Sequence, residues 1–224
     1  FEEDTNLRCT LLVDVSNSMS YGNRSLNKYE YGCTLAASLA YLVLKQQDAV
    51  GCVAFDSKIR AQVPIRSKRN HLHTVTQSLS VNAPEDKTDT YRVLKSVAES
   101  YPRRGMMVLV SDLLADYEGT LRGLKLLRKR GHDVLVFHVM DDDELDFEFS
   151  GPLRFESLET LDALNCNPRS LRDGYLEALN TFLEQLRRDC AGNTIDYALI
   201  RTSQPLDAAL AKYLSNRLGM HHRN

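Results

Sequence analysis

Short apolar runs alternate with stretches of helical periodicity along most of the chain. Apolar runs predict strands at residues 9–13, 49–55, 106–110, 134–139 and 195–200. The run at 106–110 is apolar at every position, which is typical of a strand covered by helices on both faces. After a turn at Asp56, residues 59–63 predict a short return strand at one edge of the sheet.

Apolar residues at helical spacing predict the layers that cover these strands. Helices are expected at 28–46, 70–79, 91–101, 117–130 and 170–189, with a last helix after Pro205. Asn27 is placed to cap the first helix, and Gly131 to end the fourth. A departure near 141–160, rich in acidic and aromatic residues, predicts a small hairpin excursion.

This alternation defines the expected fold class. Strands and helices in turn predict an α/β, Rossmann-like, doubly wound fold, with a mostly parallel six-stranded sheet and one short antiparallel edge strand. No repeat or linker divides the sequence, so we expect a single domain over 1–224. Because the chain begins at Phe1 rather than methionine, we interpret it as the C-terminal part of a longer protein.

Composition narrows the classes of function. A formal net charge of −2 over 224 residues offers no global attraction to nucleic acid or to an anionic membrane. The five cysteines are scattered without a C-x-x-C pair, which argues against structural zinc and for a reducing, cytoplasmic location. The longest apolar stretch, 35–44, is too short to span a bilayer, so we expect no membrane contact from this segment.

Three polar loops are expected at the edge formed by the carboxyl ends of the strands, where parallel α/β sheets bind ligands. The first, Asp14-Val15-Ser16-Asn17-Ser18, directly follows the first strand, and the third, Ser111-Asp112, directly follows the strand at 106–110. The second, Lys87-Thr88-Asp89-Thr90, precedes a helix. Residues at i, i+2 and i+4 of such a loop can point to one side, so Asp14, Ser16 and Ser18 can converge. Their carboxylates and hydroxyls are hard oxygen donors, which suit Mg²⁺ or Mn²⁺.

The pattern Asp14-x-Ser16-x-Ser18, with Thr88 and Asp112, resembles the metal-ion-dependent adhesion site of von Willebrand factor A (vWA) domains. The resemblance extends over nearly the whole chain. The matching segments are residues 1–8, 12–19, 47–51, 110–113 and 130–134, together with Asp141, Glu144, Leu145 and Phe147. They resemble one bacterial branch labelled as a domain of unknown function, whose genes often neighbour MoxR-type AAA+ ATPases.

The resemblance implies a role for each residue of the metal site. Ser16 and Ser18 would contact the metal directly, and Asp14 and Asp112 would act through bridging waters. Thr88, favoured over Thr90, would contact the metal directly or through water. The implied function is a divalent-cation-dependent protein-interaction module, not an enzyme. Its open coordination position would take an aspartate or glutamate of a partner, such as a MoxR-type ATPase or its client.

Two alternatives belong to other classes. A metal-dependent phosphoryl-transfer hydrolase of haloacid-dehalogenase type also carries an aspartate after its first strand. It needs a second aspartate two residues later as acid/base, where this chain has Ser16. The other alternative is a structural scaffold whose site binds no metal.

Four further features of the sequence carry an expectation about structure or function. The acidic run 141–144 is favoured as a solvated turn, with the strand-end edge as the alternative. Lys28 begins a helix, where the helix dipole disfavours a cation, and could instead contact an acidic partner. His138 is expected to be a hydrogen-bonded core residue. Tyr21 follows the metal loop and is placed to form its rim.

Overall fold

A computed structural model of the protein describes residues 7–22, 25–80, 89–114, 116–150, 153–156 and 163–210. The strands are β1 (Arg8–Asp14), β2 (Ala49–Phe55), β3 (Ile59–Arg66), β4 (Met106–Ser111), β5 (Asp133–Met140), β6 (Leu153–Glu156), β7 (Ala163–Cys166) and β8 (Asp196–Arg201). The helices are α1 (Lys28–Lys45), α2 (His71–Leu79), α3 (Thr90–Ser100), α4 (Tyr117–Lys129), α5 (Asp142–Asp146) and α6 (Pro168–Gly192), with a short 3₁₀ helix at Asn17–Ser20. Residues 206–210 are also helical.

The main sheet has six strands in the order β3-β2-β1-β4-β5-β8. All neighbouring pairs are parallel except β2 and β3, which run antiparallel at one edge. The predicted fold class is therefore confirmed. Because the chain turns from β1 to β2 on one side and continues to β4 on the other, the strand order reverses beside β1. The carboxyl ends of β1 and β4 flank this switch point, where open α/β sheets bind ligands.

Alternating side chains of β1 enter two separate cores. Leu11 packs in the cluster that contains Leu35 of α1, and Leu12 packs in the cluster that contains Leu94 and Leu124 of α3 and α4. Each of these leucines is at most 1% exposed. Full burial of a leucine contributes on the order of 2 kcal/mol, so β1 is anchored from both faces. The loop after Asp14 consequently starts from a rigid point.

A capping box sets the start of α1. Asn27 Oδ1 accepts the backbone N–H of Glu30 at 2.8 Å, and Glu30 Oε2 accepts that of Asn27 at 3.1 Å. The predicted Asn27 cap is confirmed. The box places Lys28 at the first helical position, where its side chain turns inward and is fully buried. Gly131, at φ 87°, follows the end of α4 as predicted.

The region after β5 differs from the prediction. A hairpin does form, but it pairs β6 with β7 and reaches residue 166, beyond the predicted limit of 160. The residues predicted as the first part of the hairpin instead form the short helix α5. A second capping box, between Asp141 and Glu144, sets the start of this helix. Among the described residues, no helix combines the length and apolarity needed to cross a membrane.

Candidate functional site

The loop after β1 gathers oxygen atoms around Asp14, which is 3% exposed. Its Oδ1 accepts the backbone N–H of Ser16 at 2.9 Å, and its Oδ2 accepts the hydroxyl of Ser111 at 2.6 Å. The hydroxyls of Ser16 and Ser18 lie 3.1 Å apart. The contact from Ser16 is an Asx turn, which by itself requires no ligand. The two serine hydroxyls beside the carboxylate add a set of oxygen donors that a turn does not need.

The loop after β4 supplies the second carboxylate. Asp112 is 1% exposed, and its Oδ1 accepts the backbone N–H of Leu114 at 3.3 Å. Ser111 Oγ accepts the N–H of Leu113 at 3.0 Å while donating to Asp14. Leu113 has a left-handed backbone (φ 55°), which is strained for a non-glycine residue and occurs often at functional sites. Ser111 thus joins the two loops directly.

Lys28 is the residue of this site that sequence reasoning missed. Its Nζ donates to Asp112 Oδ2 at 2.8 Å and to Glu144 Oε1 at 2.7 Å. Burial disfavours its charged form, but the two carboxylates outweigh burial and raise the pKa of Lys28. Since the side chain is fully buried, the alternative of contact with an acidic partner is wrong. Its signal in the sequence was a cation at a helix N-terminus, where the dipole is unfavourable.

Burial and a neighbouring carboxylate both disfavour the ionised form of Asp14. Burial, followed by the charge of Asp112, raises the pKa of Asp14 to about 6. The hydrogen bonds from Ser111 and Ser16 oppose this shift. A cation between the two loops would compensate the desolvated charge of Asp14 and favour its ionised form.

The acidic run 141–144 is not a solvated turn, and that prediction is wrong. Asp141 is fully buried, and its Oδ2 accepts the hydroxyl of Thr202 at 2.7 Å. Glu144 Oε2 accepts the backbone N–H of Asp141 at 2.9 Å, while its Oε1 contacts Lys28. The run therefore lies at the same strand-end edge as Asp112, which was the alternative interpretation.

The remaining predicted positions have different outcomes. Thr88 lies outside the described residues, so its role stays a prediction. Thr90 is the buried first residue of α3, whose N-cap is Asp89.

His138 is fully buried, with Nδ1 2.8 Å from the hydroxyl of Tyr197, which confirms a hydrogen-bonded core residue. The half-buried ring of Tyr21 has its centroid 5.7 Å from Lys28 Nζ, beside the candidate site.

Many metal sites in proteins consist of clustered histidine, cysteine, aspartate and glutamate side chains. In the part of the chain that the structure describes, no group of three or more His, Cys, Asp or Glu side chains could hold a metal ion. The candidate set is of another kind, with two carboxylates, Asp14 and Asp112, and the hydroxyls of Ser16 and Ser18.

Solved structures with the same architecture define the class of fold as vWA-like. The SpRpn10 VWA domain aligns with a TM-score of 0.50 at 10% identity, covering 94% of each chain. The conserved hypothetical protein BatB from Bacteroides thetaiotaomicron aligns with a TM-score of 0.58 at 16% identity, covering 94% of this chain and 98% of that one. At these identities the similarity establishes the fold alone.

The chain belongs to the family described as protein of unknown function DUF58, whose model matches residues 1–182. Among its relatives are the uncharacterized proteins Rv1480 of Mycobacterium tuberculosis and Mb1516 of Mycobacterium bovis. Each is 24% identical over 219 residues, which cover 96% of this chain and 68% of the relative.

Proposed function

We propose that this domain binds one divalent cation, Mg²⁺ or Mn²⁺, and uses it to hold an acidic residue of a protein partner. The metal would be held by Asp14, Ser16, Ser18 and Asp112, together with Thr88. The observation that carries the proposal is the meeting of the two polar loops at the switch point of the sheet, where Ser111 donates to Asp14. The vWA-like fold supports an interaction module.

The chemistry of the donors favours a metal that stays receptive to a further ligand. Neutral hydroxyls of Ser16 and Ser18 would coordinate without cancelling the charge of the cation. Asp112 already accepts a charge-assisted hydrogen bond from Lys28, so it neutralises the metal less than an unpaired carboxylate would. A hard cation in this setting retains affinity for one more oxygen ligand, and a carboxylate is the strongest candidate.

The rim adds an apolar contact for a partner. Leu114 follows Asp112 by two residues and is 47% exposed, while its backbone N–H holds the Asp112 carboxylate. A partner carboxylate that reached the metal would bring its neighbouring residues over this leucine. From the bacterial branch that the sequence resembles, we propose a MoxR-type AAA+ ATPase or its client as the partner.

We do not propose an enzyme. Phosphoryl transfer of haloacid-dehalogenase type needs an acid/base two residues after the nucleophile, and a serine hydroxyl at position 16 cannot serve as one near neutral pH. We therefore expect no Mg²⁺-dependent phosphatase turnover. Robust turnover that Asp14→Asn abolishes would instead support the hydrolase.

Metal binding is tested by calorimetric titration of the full chain with Mg²⁺ and Mn²⁺ up to millimolar concentration. Asp14→Ala and Ser16→Ala should each weaken metal binding more than about tenfold. Tenfold is the lower limit expected for the loss of a group that acts on a metal through its outer coordination shell. Ser20→Ala is the matched control, because Ser20 is an exposed serine of the same loop that bonds only to the Asn17 carbonyl among the described contacts. Absence of heat, with an unchanged melting temperature, would favour the scaffold without metal.

Partner binding is tested separately with a purified MoxR-type ATPase from the same genome. We expect capture in Mg²⁺ and its loss in EDTA or with Asp14→Ala. Capture that survives EDTA unchanged would overturn the role of the metal.

A further inference from the structure

The edge of the sheet opposite the candidate metal site holds a separate cavity. Arg8 and Asp14 are the first and last residues of β1, so about 20 Å of strand separates the two edges. A cavity of about 180 Å³, lined in part by Arg8, Thr10, Tyr101 and Arg103, lies between the starts of β1 and β4 and the segment that follows α3. We call it the basal cavity. An adjoining groove of about 470 Å³ shares Arg8 and Tyr101 with it.

Gly105 brings the segment after α3 directly against β1. A Cβ atom at this position would overlap the carbonyl oxygen of Arg8 and would lie 3.2 Å from Arg8 Cβ. A residue without a side chain permits this close approach of two backbones. Arg103, two positions before Gly105, therefore lines the same cavity as Arg8.

The charges that line the basal cavity have one sign. Arg8 and Arg103 are the charged residues of its described lining, which contains no carboxylate. Neither arginine side chain forms an ion pair or a hydrogen bond with another described residue. Asp48, which precedes β2, accepts the backbone N–H of Leu7 at 2.8 Å and does not line the cavity. Within the described part of the chain, the two positive charges have no counter-charge.

Two hydroxyl groups add uncharged donors to this lining. The Tyr101 hydroxyl accepts from Gln62 Nε2 at 3.2 Å, and its own proton has no acceptor among the described residues. Thr10 is 1% exposed, and its hydroxyl is buried without a hydrogen-bond partner in the described structure. Native proteins seldom keep a buried hydroxyl unsatisfied unless a water or a ligand supplies the missing bond.

The dipole of α3 opposes an anion at this place, because its carboxyl end carries about half a negative charge. Arg130 Nη1 donates to the Ala98 carbonyl at 2.7 Å and compensates part of that charge. The full positive charges of Arg8 and Arg103 exceed the remainder. A cation would be repelled by them, and an apolar ligand would desolvate both without replacing their hydration. The balance of charge therefore favours an anion.

We propose that the basal cavity binds a phosphate group, either as inorganic phosphate or as the monoester of a small molecule. A phosphate dianion matches the two positive charges, and the planar donors of arginine fit its oxygens in pairs. A carboxylate has a single charge and would leave one arginine unmatched. The organic part of a monoester would lie in the adjoining groove, against Pro64 and Ile65. This site is distinct from the proposed metal site and needs no metal.

The test is calorimetric titration of the full chain at about pH 8 in EDTA, which prevents phosphate from binding through a metal. The probes are inorganic phosphate, phenyl phosphate and acetate. We expect phosphate to bind more than about tenfold more tightly than acetate, as the loss of a hydrogen bond to a charged group implies. Tighter binding of phenyl phosphate than of inorganic phosphate assigns the monoester, and the reverse order assigns the free ion. Equal binding of acetate, or no heat from either phosphate at millimolar concentration, would overturn the proposal.

Variants locate the bound phosphate. Arg103→Gln should weaken its binding more than about tenfold. Arg104→Gln is the matched control, because it removes the same charge from the adjacent residue, which is outside the described lining, and it should change binding less than about twofold. Equal losses from both variants would show a diffuse basic surface instead of a site.

Thr10→Val exchanges the unsatisfied hydroxyl for a methyl group. We expect it to weaken phosphate binding about fivefold while the melting temperature of the ligand-free protein stays the same or rises. A merely structural role of Thr10 would lower the melting temperature and leave phosphate binding unchanged, and that result would contradict the proposal.

Discussion

Lys28 Nζ lies 2.8 Å from Asp112 Oδ2, although 84 positions separate the two residues in the sequence. With Glu144 Oε1 at 2.7 Å, the same ammonium joins the start of α1, the end of β4 and helix α5. An ammonium removed from water is stable only when such charge-assisted hydrogen bonds replace its hydration. The contact therefore holds the carboxylate of Asp112, one of the candidate metal ligands, in a defined position.

Replacing Lys28 with methionine should destabilise the domain by about 3–5 kcal/mol, because it leaves the buried carboxylate of Asp112 and the half-buried one of Glu144 without their cation. The measurement is the free energy of unfolding from urea denaturation at neutral pH. Lys45→Met is the matched control, since Lys45 is an exposed residue of the same helix. It should change stability by no more than about 0.5 kcal/mol. A loss below 1 kcal/mol for Lys28→Met would contradict the buried ion cluster.

Local patterns predict the elements of this fold well where burial is uniform. Strand β2 lies at the predicted residues 49–55, because each of its side chains is buried or nearly so. Strand β3 was predicted at 59–63 but continues to Arg66. It is an edge strand with a mixed exposure pattern, and Pro64 interrupts the signal that a central strand would carry.

Contacts between residues far apart in the sequence could be predicted only where a general rule of the fold brings them together. The site of Asp14 and Asp112 follows from a general rule, since parallel strands end at one edge of a sheet. Helix α5 is different, because two of its acidic residues, Asp142 and Asp146, form ion pairs with Arg201 of β8, which lies more than 50 positions away in the sequence. An acidic run carries no local sign of such partners, and a solvated turn was therefore the wrong interpretation.

Acid should destabilise the domain through His138. Burial lowers the pKa of this histidine to about 4, from the ordinary value of 6.5 in an unfolded chain. Between these values the unfolded state binds the proton and the folded state does not, so stability present above pH 6.5 is lost as pH falls toward 4. From pH 7 to pH 5 the contribution of His138 should decrease by about 2 kcal/mol.

His138→Gln isolates this effect, because glutamine does not titrate. The free energies of unfolding of both proteins are measured at pH 7 and pH 5, and the difference between them should shift in favour of the variant. Asp14, whose raised pKa acts in the opposite direction, is present in both proteins and cancels. A difference that stays constant over this range would show that His138 is protonated in the folded state as easily as in the unfolded one.

Two glycines in helices should respond in opposite directions to the same substitution. A Cβ atom at Gly123 of α4 would lie 2.7 Å from Cβ and 2.6 Å from Cδ1 of Leu94 in α3, so Gly123→Ala forces the two helices apart. Overpacking of this kind costs about 1–3 kcal/mol and should exceed the gain in helix propensity. At Gly174 of α6 no atom lies within 4 Å of the added Cβ, and Gly174→Ala should stabilise the domain by up to about 1 kcal/mol. Urea denaturation of both variants checks the pair, and equal stabilisation by both would show that α3 and α4 do not pack at this distance.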